Sequence, residues 1–306
     1  MSVLSRYLDP EVLSQIADRP FEPRDLVQGN LAGGHKSPQS GFAVEFHGHR
    51  EYVPGDDPRH IDWRVYYLRD KYFVKQYEME TNFVCHLLLD VSASMRYGEG
   101  PRQKLLYAAK VATALAYCIL RQNDKVSLGT FDQEVRGYLA PSNSLQQIVK
   151  MTDHLDQIEA VKKTDISASL DDLAGRMGRR EIVIVLSDLF CDLDRLEEVI
   201  QRLRFQNHEV VLLQVMDHDE LEFLWEGTVK FIGLESADEL LTNPEDLRPG
   251  YLAALQRFHG RLDEIVYRNR CERVLMDTSR SMRDVLSDYL NRRGVQVRTA
   301  RSRFAW

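Results

Sequence analysis

Three oxygen-bearing side chains follow a very apolar run of the 306-residue sequence, at residues 87–94, LLLDVSAS. Asp90, Ser92 and Ser94 occupy alternate positions, and in an extended or turning loop this spacing lets their side chains converge on one point. Convergent hard oxygens favour a hard cation such as Mg²⁺, which prefers near-octahedral oxygen coordination and keeps some of its water. The stretch therefore predicts part of a metal site, and a capped turn is the structural alternative.

The pattern D-x-S-x-S is not specific by itself, because residues 277–281, DTSRS, match it too. That second copy precedes the last predicted helix, so its oxygens are interpreted as a helix cap. Two other predicted loops offer partners for the first copy. Thr164 and Asp165 precede a helix, which they could equally cap, and Ser187 and Asp188 follow the most apolar strand. Only a site assembled from separate loops would distinguish the two copies.

The elements that must position these residues alternate between strand and helix from residue 81 onward. The runs FVCHLLLD, EIVIVLSD and HEVVLLQVMD predict buried strands, and RQKLLYAAKVATALAYCILRQ predicts a helix. KVSLGTF and EVRGYLA predict a hairpin at a sheet edge. Buried strands bounded by helices predict a doubly wound, mostly parallel α/β sheet, in which ligands bind outside the carboxyl ends of the strands.

Two regions are predicted. Residues 1–80 form a short helix near residues 10–17 and then a small β-rich N-terminal region, whereas residues 81–306 form the α/β domain, less regular at 220–270. The turn PGDDPRHIDW, residues 54–63, contains Asp56, His60 and Asp62, which could form a hydrolytic metal site. A structural or docking role with internally paired charges is the favoured interpretation.

Composition excludes few functions. The net charge of −7 gives no general attraction to nucleic acid or to an anionic membrane, and no window approaches the roughly 20 apolar residues of a membrane span. The four cysteines are far apart, which suits a reducing compartment, so we expect a cytoplasmic protein. The last residues, RRGVQVRTARSRFAW, contain five arginines and predict a flexible, solvated tail.

Taken in chain order, Asp90, Ser92, Ser94, Thr164 and Asp188 resemble the metal-ion-dependent adhesion site of von Willebrand factor A-type domains. The sequence from GFAVEF to LLLDVSASM also resembles the signature of the domain of unknown function 58 family, which joins such a domain to an N-terminal segment. The resemblance implies a Rossmann-type, von Willebrand factor A-like fold. It also implies that Mg²⁺ or Mn²⁺ binds the three hydroxyls, while the two carboxylates act largely through water.

Neutral hydroxyl ligands leave a divalent charge poorly quenched, so the Asp or Glu of a partner protein can complete the coordination. The predicted function is therefore a non-catalytic, metal-dependent protein-binding module. The family resemblance further implies a MoxR-type AAA+ ATPase as partner, in protein maturation or remodelling.

Two alternatives stay open: a metal-dependent phosphatase using Asp90, and a structural scaffold with a stabilising ion. An aspartate-nucleophile phosphatase has the pattern D-x-D, in which the second aspartate is the general acid, and Ser92 occupies that second position here. Neither a P-loop motif nor a G-x-S-x-G motif occurs in the sequence.

Overall fold

The computed structural model describes residues 3–16, 18–24, 32–36, 45–78, 80–158, 166–234 and 238–303. The chain divides into two compact units, the larger made of Met1–Arg24 with Val84–Trp306 and the smaller of Asp25–Phe83. The predicted boundary after residue 80 lies near this division. The first 24 residues, however, belong to the larger unit and not to the β-rich one.

The N-terminal elements are two short helices followed by two small antiparallel sheets. They are α1 (Val3–Tyr7), α2 (Pro10–Ile16), β1 (Ala32–Lys36), β2 (Glu45–Glu51), α3 (Trp63–Arg69), β3 (Phe73–Glu78) and β4 (Glu80–Thr81). β1 pairs with β4, and β2 pairs with β3. The small β-rich region is therefore present, with α3 as an element that the sequence pattern did not predict.

The charged residues of the turn before α3 are used locally. The Asp57 carboxylate accepts a hydrogen bond from the Arg59 amide at 2.9 Å, and Asp62 caps α3 by accepting from the Arg64 amide at 3.0 Å. Arg50 pairs with Asp56 at 2.8 Å. These contacts agree with the structural interpretation of this segment, because caps and ion pairs account for all three carboxylates.

The elements of the larger unit then follow in chain order. They are β5 (Val84–Asp90), α4 (Lys104–Arg121), β6 (Lys125–Phe131), β7 (Val135–Ser142), α5 (Gln146–Asp156), α6 (Ile166–Ala174), β8 (Ile182–Ser187), α7 (Leu193–Phe205), β9 (Glu209–Met216), α8 (His218–Glu222), β10 (Val229–Ile232), β11 (Glu239–Thr242), α9 (Pro244–Arg268), β12 (Glu272–Asp277) and α10 (Met282–Arg303).

Six of these strands form one sheet in the order β12-β9-β8-β5-β6-β7, parallel except for the edge strand β7. The first strand of the sheet, β5, thus lies between the second and the fourth, which is the doubly wound order with its switch point between β5 and β8. Leu88, Val183 and Val185 share a buried cluster with residues of α6, α7 and α9. The predicted α/β fold and its edge hairpin, β6 with β7, are confirmed.

The arginine-rich C-terminal segment is helical to residue 303, and one of its arginines is buried, which a flexible, solvated tail does not predict. α10 continues to Arg303, and the Arg293 guanidinium is 1% exposed. It pairs with Glu209 and with Glu272, and its Nε donates to the backbone carbonyl of Glu22 at 2.7 Å. It also lies 4.2 Å from the ring centre of Phe21. Arg293, a residue of α10, therefore binds the N-terminal segment to β9 and β12, in agreement with the place of that segment in the larger unit.

Arg293→Ala tests whether these buried contacts of the guanidinium stabilise the fold. Removing one partner of a buried ion pair leaves the other charge uncompensated, so we expect the free energy of unfolding to fall by about 3–5 kcal/mol. Arg292→Ala is the matched control, because Arg292 is exposed, and it should cost less than about 1 kcal/mol. Urea unfolding followed by circular dichroism measures the free energy of unfolding of both variants. An equal loss for the two would contradict the stabilising role of Arg293.

Candidate metal centre

Asp90 ends β5 and is fully buried. Its Oδ1 accepts a hydrogen bond from the Ser92 amide at 2.9 Å, and its Oδ2 accepts one from the Ser187 hydroxyl at 2.6 Å. The second contact follows from strand register, because Leu89 of β5 lies opposite Leu186 of β8 and both strands end one residue later. The parallel pairing of β5 and β8 therefore brings two separate loops to one carboxylate.

Ser92 and Ser94 lie in the turn that follows β5. The Ser92 side chain is fully buried, the Ser94 side chain is half-buried, and their Oγ atoms are 3.1 Å apart. Adjacent ligands of an octahedral Mg²⁺ with bonds of about 2.0–2.1 Å are roughly 3 Å apart. The spacing of the two hydroxyls fits such a pair of ligands, and it equally permits a direct hydrogen bond between them.

Asp188, directly after β8, is held by a buried lysine. The Lys104 side chain is 0% exposed, and its Nζ donates to Asp188 Oδ2 at 2.9 Å and to Glu220 Oε1 at 2.8 Å. Glu220 is in turn positioned by the Asp217 amide, which donates to its Oε2 at 2.9 Å in the capping box of α8. Lys104 thus joins the loop after β8 to α8.

The carboxylates of this cluster outnumber its cation. Burial, together with the Asp188 carboxylate, raises the pKa of Asp90 to about 7. Burial also raises the pKa of Glu220, an effect that Lys104 only partly offsets. Burial lowers the pKa of Lys104, but its two carboxylate partners more than compensate, so this pKa is raised and the ammonium stays charged. When every group is ionised, three carboxylates face one ammonium.

Of the five predicted site residues, the structure places Asp90, Ser92, Ser94 and Asp188 at the carboxyl ends of β5 and β8. Thr164 and its neighbour Asp165 lie outside the described residues. Within the described part of the chain, no group of three or more His, Cys, Asp and Glu side chains could hold a metal ion. A metal here would therefore depend on the serine hydroxyls as well as on the carboxylates.

The second D-x-S-x-S copy has a different environment. Asp277 Oδ1 accepts from the Ser279 amide at 2.8 Å, and Asp277 Oδ2 lies 3.1 Å from His218 Nδ1. The Ser281 backbone carbonyl accepts the first amide bonds of α10. Accepting those bonds is ordinary for the residue before a helix. The Asp277 carboxylate closes a turn and pairs with a histidine, so it does not make the side-chain cap of α10 that the sequence predicted.

Sequence reasoning missed Lys104 and Glu220. One local signal was available for the lysine: it is the first residue of α4, where the helix dipole disfavours a cation. A lysine at that end, ahead of a strongly apolar helix, indicates an acidic partner elsewhere in the fold. No comparable signal identifies Glu220, because its role depends on how β9 and α8 are packed.

The rival phosphatase would need a carboxylate that can attack a substrate. Asp90 is fully buried, and both of its oxygens accept hydrogen bonds within the protein. The nucleophile of such an enzyme must reach the phosphorus of its substrate. In this structure the Asp90 carboxylate is therefore a hydrogen-bond acceptor for the loop after β5 and for the end of β8.

Fold and site together define a doubly wound α/β protein with an oxygen-rich cluster at its topological switch point. A family model described as "Protein of unknown function DUF58" matches residues 48–260. The chain belongs to this family.

Individual relatives are distant. The uncharacterized protein Rv1480 of Mycobacterium tuberculosis is 24% identical over 233 residues, which are 74% of this chain and 72% of that protein. Among solved structures, BatB from Bacteroides thetaiotaomicron gives a TM-score of 0.47 at 16% identity, over 70% of this chain and 99% of that one. The SpRpn10 VWA domain gives a TM-score of 0.40 at 13% identity, over 68% of this chain and 95% of that one. In the part of the chain that the structure describes, no helix has the length and apolar character needed to cross a membrane.

Lys104→Met tests the electrostatic role of the buried ammonium. The variant keeps the length of the side chain but leaves Asp188 and Glu220 without their cation, so we expect the free energy of unfolding to fall by about 3–5 kcal/mol at neutral pH. Lys150→Met, at an exposed position of α5, should change it by less than about 0.5 kcal/mol. Urea unfolding in EDTA measures the difference, and a Lys104→Met protein as stable as the wild type would refute the assignment.

Proposed function

We propose that the protein is a non-catalytic, metal-dependent protein-binding module. Mg²⁺ or Mn²⁺ would be held at the cluster of Asp90, Ser92, Ser94 and Asp188, and it would supply an electrophilic position for the Asp or Glu of a partner. The observation that carries the proposal is the pair of serine hydroxyls 3.1 Å apart, next to buried carboxylates that outnumber the buried Lys104.

The charge of the cluster supports a divalent ion in particular. If all three carboxylates were ionised, they would leave two negative charges against one ammonium, and the raised pKa values of Asp90 and Glu220 show that this charge is unfavourable without a further cation. A divalent cation would neutralise both charges. Asp90, held by Ser92 and Ser187, and Asp188, held by Lys104, already have a fixed orientation, so they would act without rearrangement of the backbone.

Thr164 stays a predicted third hydroxyl ligand, as the family resemblance implies. If it contributes, the metal would have three neutral oxygens and two largely indirect carboxylates. Such a donor set leaves the ion electrophilic enough to bind an external carboxylate. We include a MoxR-type AAA+ ATPase as the expected partner on the basis of the family resemblance alone, and the role would be that of an adaptor in protein maturation or remodelling.

Magnesium binding should be visible as stabilisation. A ligand at 100 times its Kd adds about 2.7 kcal/mol, which for a chain of this size is a rise in Tm of several degrees. We expect this rise for the wild type and its loss in Ser92→Ala. Ser279→Ala removes the equivalent serine of the second D-x-S-x-S copy and should retain the rise. Differential scanning calorimetry with MgCl₂ or EDTA measures it, and no rise in the wild type would overturn the metal proposal.

Partner capture tests the role of that metal. Immobilised protein should retain a purified MoxR-type AAA+ ATPase from the same organism in MgCl₂ and release it in EDTA, because the proposed contact is a carboxylate on the ion. Ser92→Ala should fail to capture, and Ser279→Ala should capture normally. Capture that resists EDTA and survives Ser92→Ala contradicts the proposed contact. Magnesium stabilisation without capture would indicate that the ion stabilises a structural scaffold and does not mediate a contact with this ATPase.

A further inference from the structure

One segment accounts for the whole net negative charge of the chain. Residues 217–248 contain ten acidic and two basic residues, whereas the net charge of all 306 residues is −7. The segment includes α8, the two-stranded hairpin of β10 and β11, and the start of α9. The rest of the chain is close to neutral, so this segment is the dominant acidic region of the molecule.

The same segment exposes large apolar side chains. Of its leucine and isoleucine side chains, six are 38–69% exposed: Leu224, Ile232, Leu234, Leu240, Leu241 and Leu247. Strand alternation places Ile232 and Leu241 on one face of the hairpin and Leu240 on the other, so Ile232 and Leu241 form an exposed apolar pair. Exposed apolar side chains among charged ones are typical of a protein-binding surface. We call residues 222–247, where the structure describes them, the hairpin surface.

An aromatic cluster fixes the hairpin surface next to the candidate metal centre. The Phe223 ring lies 4.4 Å from the Tyr251 ring and 5.7 Å from the Phe231 ring of β10, centre to centre. The Tyr251 hydroxyl donates to the Glu220 backbone carbonyl at 2.8 Å, and the Glu220 carboxylate accepts from Lys104. The aromatic cluster of the hairpin is thus linked through Tyr251 to α8, whose Glu220 binds the buried ammonium.

The hairpin has strand edges that the described residues leave unpaired. β10 and β11 pair only with each other, in the register Lys230 with Leu241 and Ile232 with Glu239. The Gly233 amide donates to the Asp238 carbonyl at 2.8 Å, which marks that position as a hydrogen-bonded pair. Hydrogen-bonded and non-hydrogen-bonded pairs alternate in an antiparallel ladder. The Ile232–Glu239 and Lys230–Leu241 pairs are therefore non-hydrogen-bonded, and the backbone N–H and C=O groups of these residues point away from the partner strand. An outward edge is a template for another strand.

We propose that the hairpin surface binds an extended segment of a partner protein in which basic and apolar side chains alternate. The exposed acidic side chains of the segment select the basic side chains, Ile232 and Leu241 contact the apolar ones, and an edge of the hairpin supplies backbone hydrogen bonds. This inference deepens the proposed function by naming a second feature of the partner, and it rests on the role of the chain as a protein-binding module. It does not require the metal.

The test uses three labelled 12-residue peptides with blocked termini, alternating Lys and Val, Glu and Val, or Lys and Ser. Fluorescence anisotropy with the full chain should show the Lys/Val peptide binding at least tenfold more tightly than the other two. The double variant Ile232→Ser, Leu241→Ser should weaken it at least tenfold. Phe205→Ser, which removes an 89% exposed aromatic side chain from α7, is the control and should leave binding unchanged.

Hydrogen exchange on the wild type gives an independent measurement if the double variant loses its hairpin. Bound Lys/Val peptide should slow amide exchange at Lys230 and Ile232 or at Glu239 and Leu241. Equal binding of the Lys/Ser peptide, or no protection at either edge, would overturn the inference. The peptide carries no carboxylate, so its binding should be the same in EDTA and in MgCl₂. Peptide binding without magnesium stabilisation would overturn the metal proposal alone.

Discussion

The pairing of β5 with β8 is the constraint on which the rest of the site depends. The two strands are not neighbours in sequence, and the reversal of strand order between them opens the sheet at one point. Their register sets the Asp90 carboxylate against the Ser187 hydroxyl, and Asp188 follows at once. Every other group of the cluster is positioned relative to these two strand ends.

Lys104 adds an electrostatic constraint to this geometry. A fully buried ammonium is stable only with compensating acids, and here Asp188 provides one from the loop after β8 and Glu220 provides the other from α8. The lysine therefore positions that loop relative to α8. It also leaves Asp90 as a carboxyl with no cation in the described part of the chain, and burial beside Asp188 raises the pKa of Asp90 to about 7. With all three carboxylates ionised, the cluster would carry two uncompensated negative charges, which is the charge that one divalent cation balances.

Much of this arrangement could be predicted from the sequence because it depends on local patterns. Apolar strands that end in Asp90 and Asp188 identify the sheet and one edge of it, and alternate spacing identifies Ser92 and Ser94. Lys104 was missed because its partners are distant in sequence. The same reason explains Arg293, which looked like part of a basic tail but is buried against Glu209 and Glu272. Short-range charge patterns do not reveal which ions become buried.

The two serine hydroxyls and the unbalanced carboxylates are proposed to hold a divalent ion. A crystal soaked in MnCl₂ and measured at the manganese absorption edge tests whether they do. We expect one strong anomalous peak within coordination distance of Ser92 Oγ and Ser94 Oγ, absent from Ser92→Ala crystals. A fully soaked crystal with no peak at these hydroxyls, and with Lys104 still bound to Asp188, would contradict the proposal.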